Sequence, residues 1–354
     1  MSTSVRVDSE TVNYLIGKIS NKAMVSRDMV LPFVEFTGFM EVLFRLLDKD
    51  ARTSLIVGGH VTPDVAIAAD RAQLSLKEVL GLSPFSGDLD RILRELTSGR
   101  EIVYLANPNR VTGANFSLAD LELLARAVSE GALIIDEHYF DFYGISGLPL
   151  LKQFDNIVVI RSLTTSFGIR SDESGYVMAA KNIIRALKEV YDWDRISRVA
   201  CKILTTCLMN YDAMQTRLKL LHDEALRIAL FLNGLKIQNR LSAADFVLLR
   251  VAEPVRVGNF LAGHKVPIEN LDGYPELKNY MRYEIQSGLS NNIMLEAFKK
   301  MPPDYYRLTS LDKRLIKLSK AGQAKSDRTE NEIDMPIFRR GRTKVGENKI
   351  AEKV

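Results

Sequence analysis

The chain has 354 residues, 46% hydrophobic and 26% charged, which fits about two folded domains and excludes disordered, fibrous and disulfide-scaffold classes. No apolar run reaches the roughly 18–20 residues of a membrane span, and Met1 to Ala23 mixes charge and polarity too evenly for a signal peptide, so a cytoplasmic chain with no membrane contact is expected. The formal charge of +4 is uneven: residues 303–354 hold 13 Lys+Arg against 8 Asp+Glu, while the first 302 hold 35 against 36, so nucleic acid is not expected as a partner except through that tail.

Residues 1–37 are amphipathic and lean towards helix. Leu55 to Val57 reads as a short buried strand. Apolar positions at Leu89, Ile92, Leu93 and Leu96 predict a helix that Gly99 stops. Ile102 to Ala106 is a continuous apolar run, as expected of a strand buried on both faces. Ser117 with Asp120 three residues on predicts a capped helix start, and Gly131 marks its end. Leu133 to Ile135, Ile157 to Ile160 and Tyr176 to Ala179 are further short apolar strands. Lys181 to Asn233 holds no Gly and no Pro, which predicts two or more helices. Cys201 and Cys207 fall there, six apart and off one face, as reduced packed thiols. Strands at 246–251 and 281–285 and helices at 255–262 and 291–300 follow. Pro302-Pro303 is read as the end of the packed body. Beyond it lie an amphipathic piece at 311–318 and a charged tail carrying Arg339-Arg340-Gly341-Arg342, a solvated segment or a contact for an acidic partner.

Short apolar strands alternating with helices predict an α/β fold: a mostly parallel sheet in a large domain, with a smaller α+β C-terminal domain. In such sheets, sites form at the carboxyl ends of the strands. That directs attention to the segments after Ala106, Ile135 and Ile160.

Three segments stand at those ends: Asn107 to Gly113 (NPNRVTG), Asp136 to Tyr139 (DEHY), and Ser162 to Gly168 (SLTTSFG) followed by Gly175-Tyr176. With Phe36 to Leu43 (FTGFMEVL) upstream and Asn279 to Arg282 (NYMR) downstream, they resemble fold-type-I pyridoxal phosphate (PLP) enzymes. The likeness is to class I/II aminotransferases of the histidinol-phosphate type, over about residues 10 to 300. The resemblance divides the chain into a shortened N-terminal arm (1–37), a large domain (38–210), a small domain (211–302) and a basic tail (303–354).

The resemblance also implies roles, residue by residue. A PLP enzyme needs a lysine for the internal aldimine. Its position is Thr165, and no lysine occurs between Lys152 and Lys181. The phosphate-binding arginine is replaced by Glu173, with Arg170 three residues earlier. The hydroxyl expected after Gly38 is replaced by Phe39. Ser162 and Thr164 keep hydroxyls where the family has phosphate-binding or neighbouring serines. The residue that stacks on the pyridine is Thr62, and the asparagine partner of the ring hydroxyl is Arg110. Asp136 matches the aspartate facing the pyridine nitrogen, Tyr139 the tyrosine at the ring hydroxyl, and Arg282 the arginine that grips a substrate carboxylate.

Each retained residue also has a purely structural role open to it. Asp136 can accept backbone N–H bonds, Tyr139 can be a packed aromatic, and Arg282 can bridge to a carboxylate. Asp136, His138 and His60 lack the spacing of a metal site. His222 and His264 read as helix-surface residues. The expectation is therefore an aminotransferase-like protein without the Schiff-base lysine, inactive or non-canonical, that binds or scaffolds. No covalent cofactor is expected, and no residue is assigned a catalytic role. The alternative is an enzyme that holds PLP or pyridoxamine phosphate non-covalently, or acts on a small carboxylate without PLP. The expected assembly is a homodimer, or a heterodimer with an active relative.

Overall fold

The run Ile102 to Ala106 is apolar on both sides of its pleat, and such a strand is stable only when both faces are covered. The computed structural model, which describes residues 9–48, 53–169, 174–193 and 196–309, places it inside a seven-stranded sheet. In chain order the elements are α1 (Ser9–Ala23), β1 (Val30–Phe33), α2 (Phe36–Leu47), β2 (Ser54–Gly58), α3 (Pro63–Arg71), β3 (Ser75–Val79) and α4 (Leu89–Glu95). Then come β4 (Ile102–Ala106), α5 (Leu118–Ala127), β5 (Ala132–Asp136), α6 (Phe140–Tyr143), β6 (Ile157–Ser162), β7 (Gly175–Ala179), α7 (Lys181–Val190) and α8 (Arg198–Met209). The rest are α9 (Tyr211–Gly234), β8 (Gln238–Leu241), β9 (Phe246–Arg250), α10 (Pro254–Gly263), β10 (Glu269–Asn270), β11 (Tyr280–Glu284), α11 (Gly288–Lys300) and α12 (Pro303–Tyr306).

The large sheet runs β1-β7-β6-β5-β4-β2-β3. Its strands from β3 to β6 are parallel, and β7 and β1 close one edge antiparallel. Alternate side chains feed two cores. Val103, Leu105, Leu133 and Ile135 face a layer that includes α1, α5 and α8. Ile102, Tyr104, Ile134 and Val158 face one that includes α2, α3 and α7. The chain is thus an α/β fold with a mostly parallel, mixed sheet. The Ser117–Asp120 capping box forms at the start of α5. Both cysteines are free and buried in α8.

Four strands, β1, β3, β8 and the two-residue β10, escape the sequence patterns. β1 is apolar and buried but contains Pro32, which an edge strand tolerates, and β3 is mostly exposed and polar. β8 is only partly buried and reads as polar. The segment before Gly38 belongs largely to the body: α1 buries Val12, Leu15, Ile16 and Ile19 in the large core, and β1 extends the sheet.

A second sheet, β10-β11-β9-β8, is antiparallel and packs on α9, α10 and α11. The body does not end at Pro302-Pro303. Pro303 opens the short α12, where a missing N–H costs nothing, and Tyr306 is buried in the core of this layer beside Phe298. The amphipathic piece at 311–318 and the basic run at 339–342 lie outside the described residues.

The carboxyl ends of β5 and β6 are tied by a buried ion pair. Arg161 Nε donates to Glu137 Oε2 at 2.8 Å, and the Glu137 carboxylate also accepts from Ser146 Oγ at 2.8 Å and Gly147 N at 2.6 Å. The Arg161 guanidinium lies over the Phe140 ring. This clamp fixes the turn that carries His138 and Tyr139. Removing one partner leaves a buried charge uncompensated. Glu137→Ala is therefore expected to cost about 3–5 kcal/mol. Glu137→Met with Arg161→Met is expected to cost less than that single change. Urea unfolding of the variants checks this, and a single variant within about 1 kcal/mol of wild type would contradict the clamp.

Candidate functional site

The turns after β4, β5 and β6 face the start of α2, the start of α3 and the second sheet across a cleft of about 660 Å³. It is lined by Arg110 and Val111 after β4, His138 and Tyr139 after β5, and Thr165 and Ile169 after β6. Glu35, Thr37, Thr62 and Asp64 come from the first turns, and Asp245, Glu269, Tyr274, Arg282 and Glu284 from the far side.

Thr165 lies in a short turn whose N–H groups are capped by Ser162 Oγ: Thr164 N donates at 3.2 Å and Thr165 N at 3.1 Å. The Thr165 hydroxyl lies 3.0 Å from Ser162 Oγ and in a short hydrogen bond with His138 Nε2. Burial, reinforced by the Arg110 charge, holds His138 well below the usual imidazole range. It is therefore neutral, and its Nε2 can accept the Thr165 proton. Ser162 and Thr164 are buried in this turn and are not among the residues lining the cleft.

Asp136 is fully buried behind the cleft, at the end of β5. Its Oδ2 accepts the Tyr104 hydroxyl at 2.6 Å and its Oδ1 accepts His138 N–H at 3.0 Å. Both oxygens are engaged by the protein itself. The Tyr139 ring meets Phe142 and Phe246 edge-on, and its hydroxyl bonds Asp245. Burial, helped by the Asp245 charge, pushes that phenol up beyond its ordinary range.

Arg282 lines the cleft, donates Nη1 to the Arg110 carbonyl at 2.7 Å and pairs with Glu269 at 3.0 Å. Arg110 in turn pairs with Asp64 at 2.6 Å, over the Phe36 ring. Where the resemblance looks for a stacking aromatic, Thr62 presents a buried hydroxyl with no partner among the described residues.

The start of α2 is the least ordinary part of the cleft. Glu35 precedes it in the left-handed region, with φ +58°, which costs a residue with a Cβ about 1–2 kcal/mol. Its carboxylate folds back to accept Gly38 N–H at 3.3 Å, in the space a Cβ on Gly38 would need. Phe39 is buried and stacks on Phe33 at 4.3 Å, turned away from the cleft. Among the described residues lining the cleft, five carboxylates (Glu35, Asp64, Asp245, Glu269 and Glu284) stand against the guanidiniums of Arg110 and Arg282. Glu173 and Arg170 lie outside the described residues.

Thr165, Tyr139 and Arg282 therefore share one cleft, while Asp136, Ser162 and Thr164 sit behind it. The sequence reading did not single out Glu35, Asp64, Asp245, Glu269 or Tyr104. Tyr104 carried a signal: a hydroxyl inside a strand buried on both faces must find a partner, and register sets Ala106 opposite Asp136 on the next strand. The carboxylates come from loops and a separate sheet, so no local pattern links them. His60 is 3% exposed, with its ring edge on Tyr274. No group of three potential metal-ligating residues occurs among the described residues.

Burial lowers His60 as well as His138, so the folded chain takes up these protons at lower pH than the unfolded chain does. The unfolded chain binds these protons below about pH 6.5, which makes stability fall as pH drops through that value. Each histidine accounts for up to ~1.4 kcal/mol per pH unit. Urea melts at pH 7.5 and about 5.5 test this. His138→Gln is expected to flatten the dependence, and an unchanged slope would count against a neutral His138.

Comparison with known proteins gives this arrangement a setting. The family described as aminotransferase class I and II matches residues 66–267. Histidinol-phosphate aminotransferase 1 of Carboxydothermus hydrogenoformans is 27% identical over 230 residues, covering 63% of this chain and 64% of the relative. The chain thus spans less than two thirds of the length of that relative. The histidinol-phosphate aminotransferase of Clostridium acetobutylicum superposes with a TM-score of 0.73 at 20% identity, covering 84% of this chain and 90% of that one. The Sinorhizobium meliloti protein of the same name, solved with pyridoxal-5'-phosphate, gives 0.71 at 17% identity, covering 84% of each chain. At these identities the solved structures show a shared fold. No helix among the described residues is long and apolar enough to cross a membrane.

Proposed function

The chain belongs to the class I and II aminotransferases, and we propose that it is a member that has given up internal-aldimine catalysis and uses the cleft to bind or scaffold. The observation that carries this is Thr165. A hydroxyl cannot form a Schiff base, and here it is bonded to His138 and held against Ser162. Other contacts point the same way. Asp136 is spent on Tyr104 and the His138 N–H, Thr62 replaces a stacking ring, and Arg110 is paired with Asp64. Covalent PLP does not fit this set of groups. Arg282, at the mouth facing Arg110, suits the carboxylate of a small ligand. The matching assembly is a homodimer, or a heterodimer with an active relative, in the cytoplasm. The tail is the one segment whose charge suits nucleic acid.

A second reading is favoured by one contact. His138, neutral and bonded to the Thr165 hydroxyl inside the cleft, is placed to take a proton from a ligand. On that reading the chain is an enzyme that holds PLP or pyridoxamine phosphate non-covalently, or acts on a carboxylate without either.

Borohydride reduction after incubation with PLP, followed by peptide mapping, tests the leading reading. The expected result is pyridoxyl label confined to surface lysines at substoichiometric levels, with no visible aldimine band. One equivalent of label on a single lysine, displaced by a competing carboxylate, would overturn it. The second reading predicts instead saturable PLP or pyridoxamine phosphate binding without label, weakened by Tyr139→Phe.

A further inference from the structure

The amino end of a helix is a place for an anion, because its first N–H groups have no intrahelical partner and the helix dipole adds positive potential. Helix α2 has 12 residues and opens on the cleft, with Glu35, Phe36 and Thr37 in the lining. An anion already sits there, and it is the chain's own. Glu35 adopts φ +58°, a conformation that glycine adopts freely and glutamate does not, and its carboxylate reaches back onto Gly38 N–H. The carboxylate fills the volume directly over Gly38. The neighbouring donor that a phosphate would use is also missing, since position 39 is a buried phenylalanine stacked on Phe33.

We propose that Glu35 is a built-in anion that closes the phosphate end of the cleft, so that this protein selects ligands without a phosphate group. A phosphate brought to the start of α2 meets a carboxylate of like charge in the position its own oxygens need, and either the carboxylate leaves or the phosphate is refused. Glu35 is exposed to solvent, so the refusal is a matter of competition, not of an absolute block, and it weakens as salt rises. The guanidinium nearest that end, Arg110 over the Phe36 ring, is already paired with Asp64, and Arg282 lies on the second sheet, bonded to the Arg110 carbonyl. The ligand class that fits this cleft is a small carboxylic acid with no phosphate ester. Phosphorylated cofactors and phosphorylated substrates fall outside that class because Glu35 competes with their phosphate.

This deepens the reading given above and rests on it only for where the ligand sits. The test uses inorganic phosphate and pyridoxine 5'-phosphate, which has no aldehyde, so its outcome does not depend on whether an aldimine forms. Titration calorimetry compares the full-length wild type with Glu35→Gly and Glu35→Gln. Glycine accepts the left-handed backbone, so the Gly variant keeps the fold, which circular dichroism confirms. Binding by the basic tail is common to all three proteins and cancels in the comparison. Glu35→Gly is expected to bind both phosphates at least about tenfold more tightly than wild type. Glu35→Gln, which loses the charge and keeps the bulk, is expected to fall between. Equal affinities in wild type and Glu35→Gly, or no phosphate binding by either, would overturn the proposal.

Discussion

The hydrogen bond between Thr165 and His138 joins the turns after β6 and β5 at the floor of the cleft. Much of the site follows from it. It holds the Thr165 hydroxyl against the His138 imidazole. It orients His138, whose backbone N–H is held by Asp136, and Asp136 in turn holds Tyr104 on the adjacent strand. A chain of hydrogen bonds thus runs from inside the sheet to the cleft surface, with a protein partner at each step. Buried polar networks are stable when every member is satisfied, and an incoming ring or phosphate would have to break contacts to replace them.

Charge completes the picture. An active site for phosphorylated ligands concentrates donors and positive charge at one point. Here the start of α2 carries Glu35, and the two arginines of the cleft are matched by Asp64 and Glu269. The frame is that of a class I and II aminotransferase. A fold hosts many functions, and the side chains facing the cleft decide which one a given chain performs.

The frame was largely legible in the sequence because it is written in local patterns. Ile102 to Ala106 and Leu133 to Ile135 announce strands covered on both sides, and Ser117 with Asp120 announces a helix start; all three stand in the structure. The polar or proline-bearing edges β1, β3 and β8 were not legible, since an edge strand is free to be polar. Within the site, Thr165 was legible as a departure from a pattern. Its partner was not, because His138 lies 27 residues away and only the parallel pairing of β5 and β6 brings the two turns together. Glu35 was harder still. Nothing about a glutamate before Phe36 says that its backbone turns left-handed and its carboxylate folds over Gly38.

A crystal structure of the full-length protein grown with excess PLP tests most directly whether the protein's own side chains occupy what a cofactor would need. The expected result is an intact Thr165–His138 contact, the Glu35 carboxylate on Gly38 N–H, and no pyridine ring in the cleft. Electron density for PLP against Asp136, with its phosphate at the start of α2 and Glu35 displaced, would contradict it.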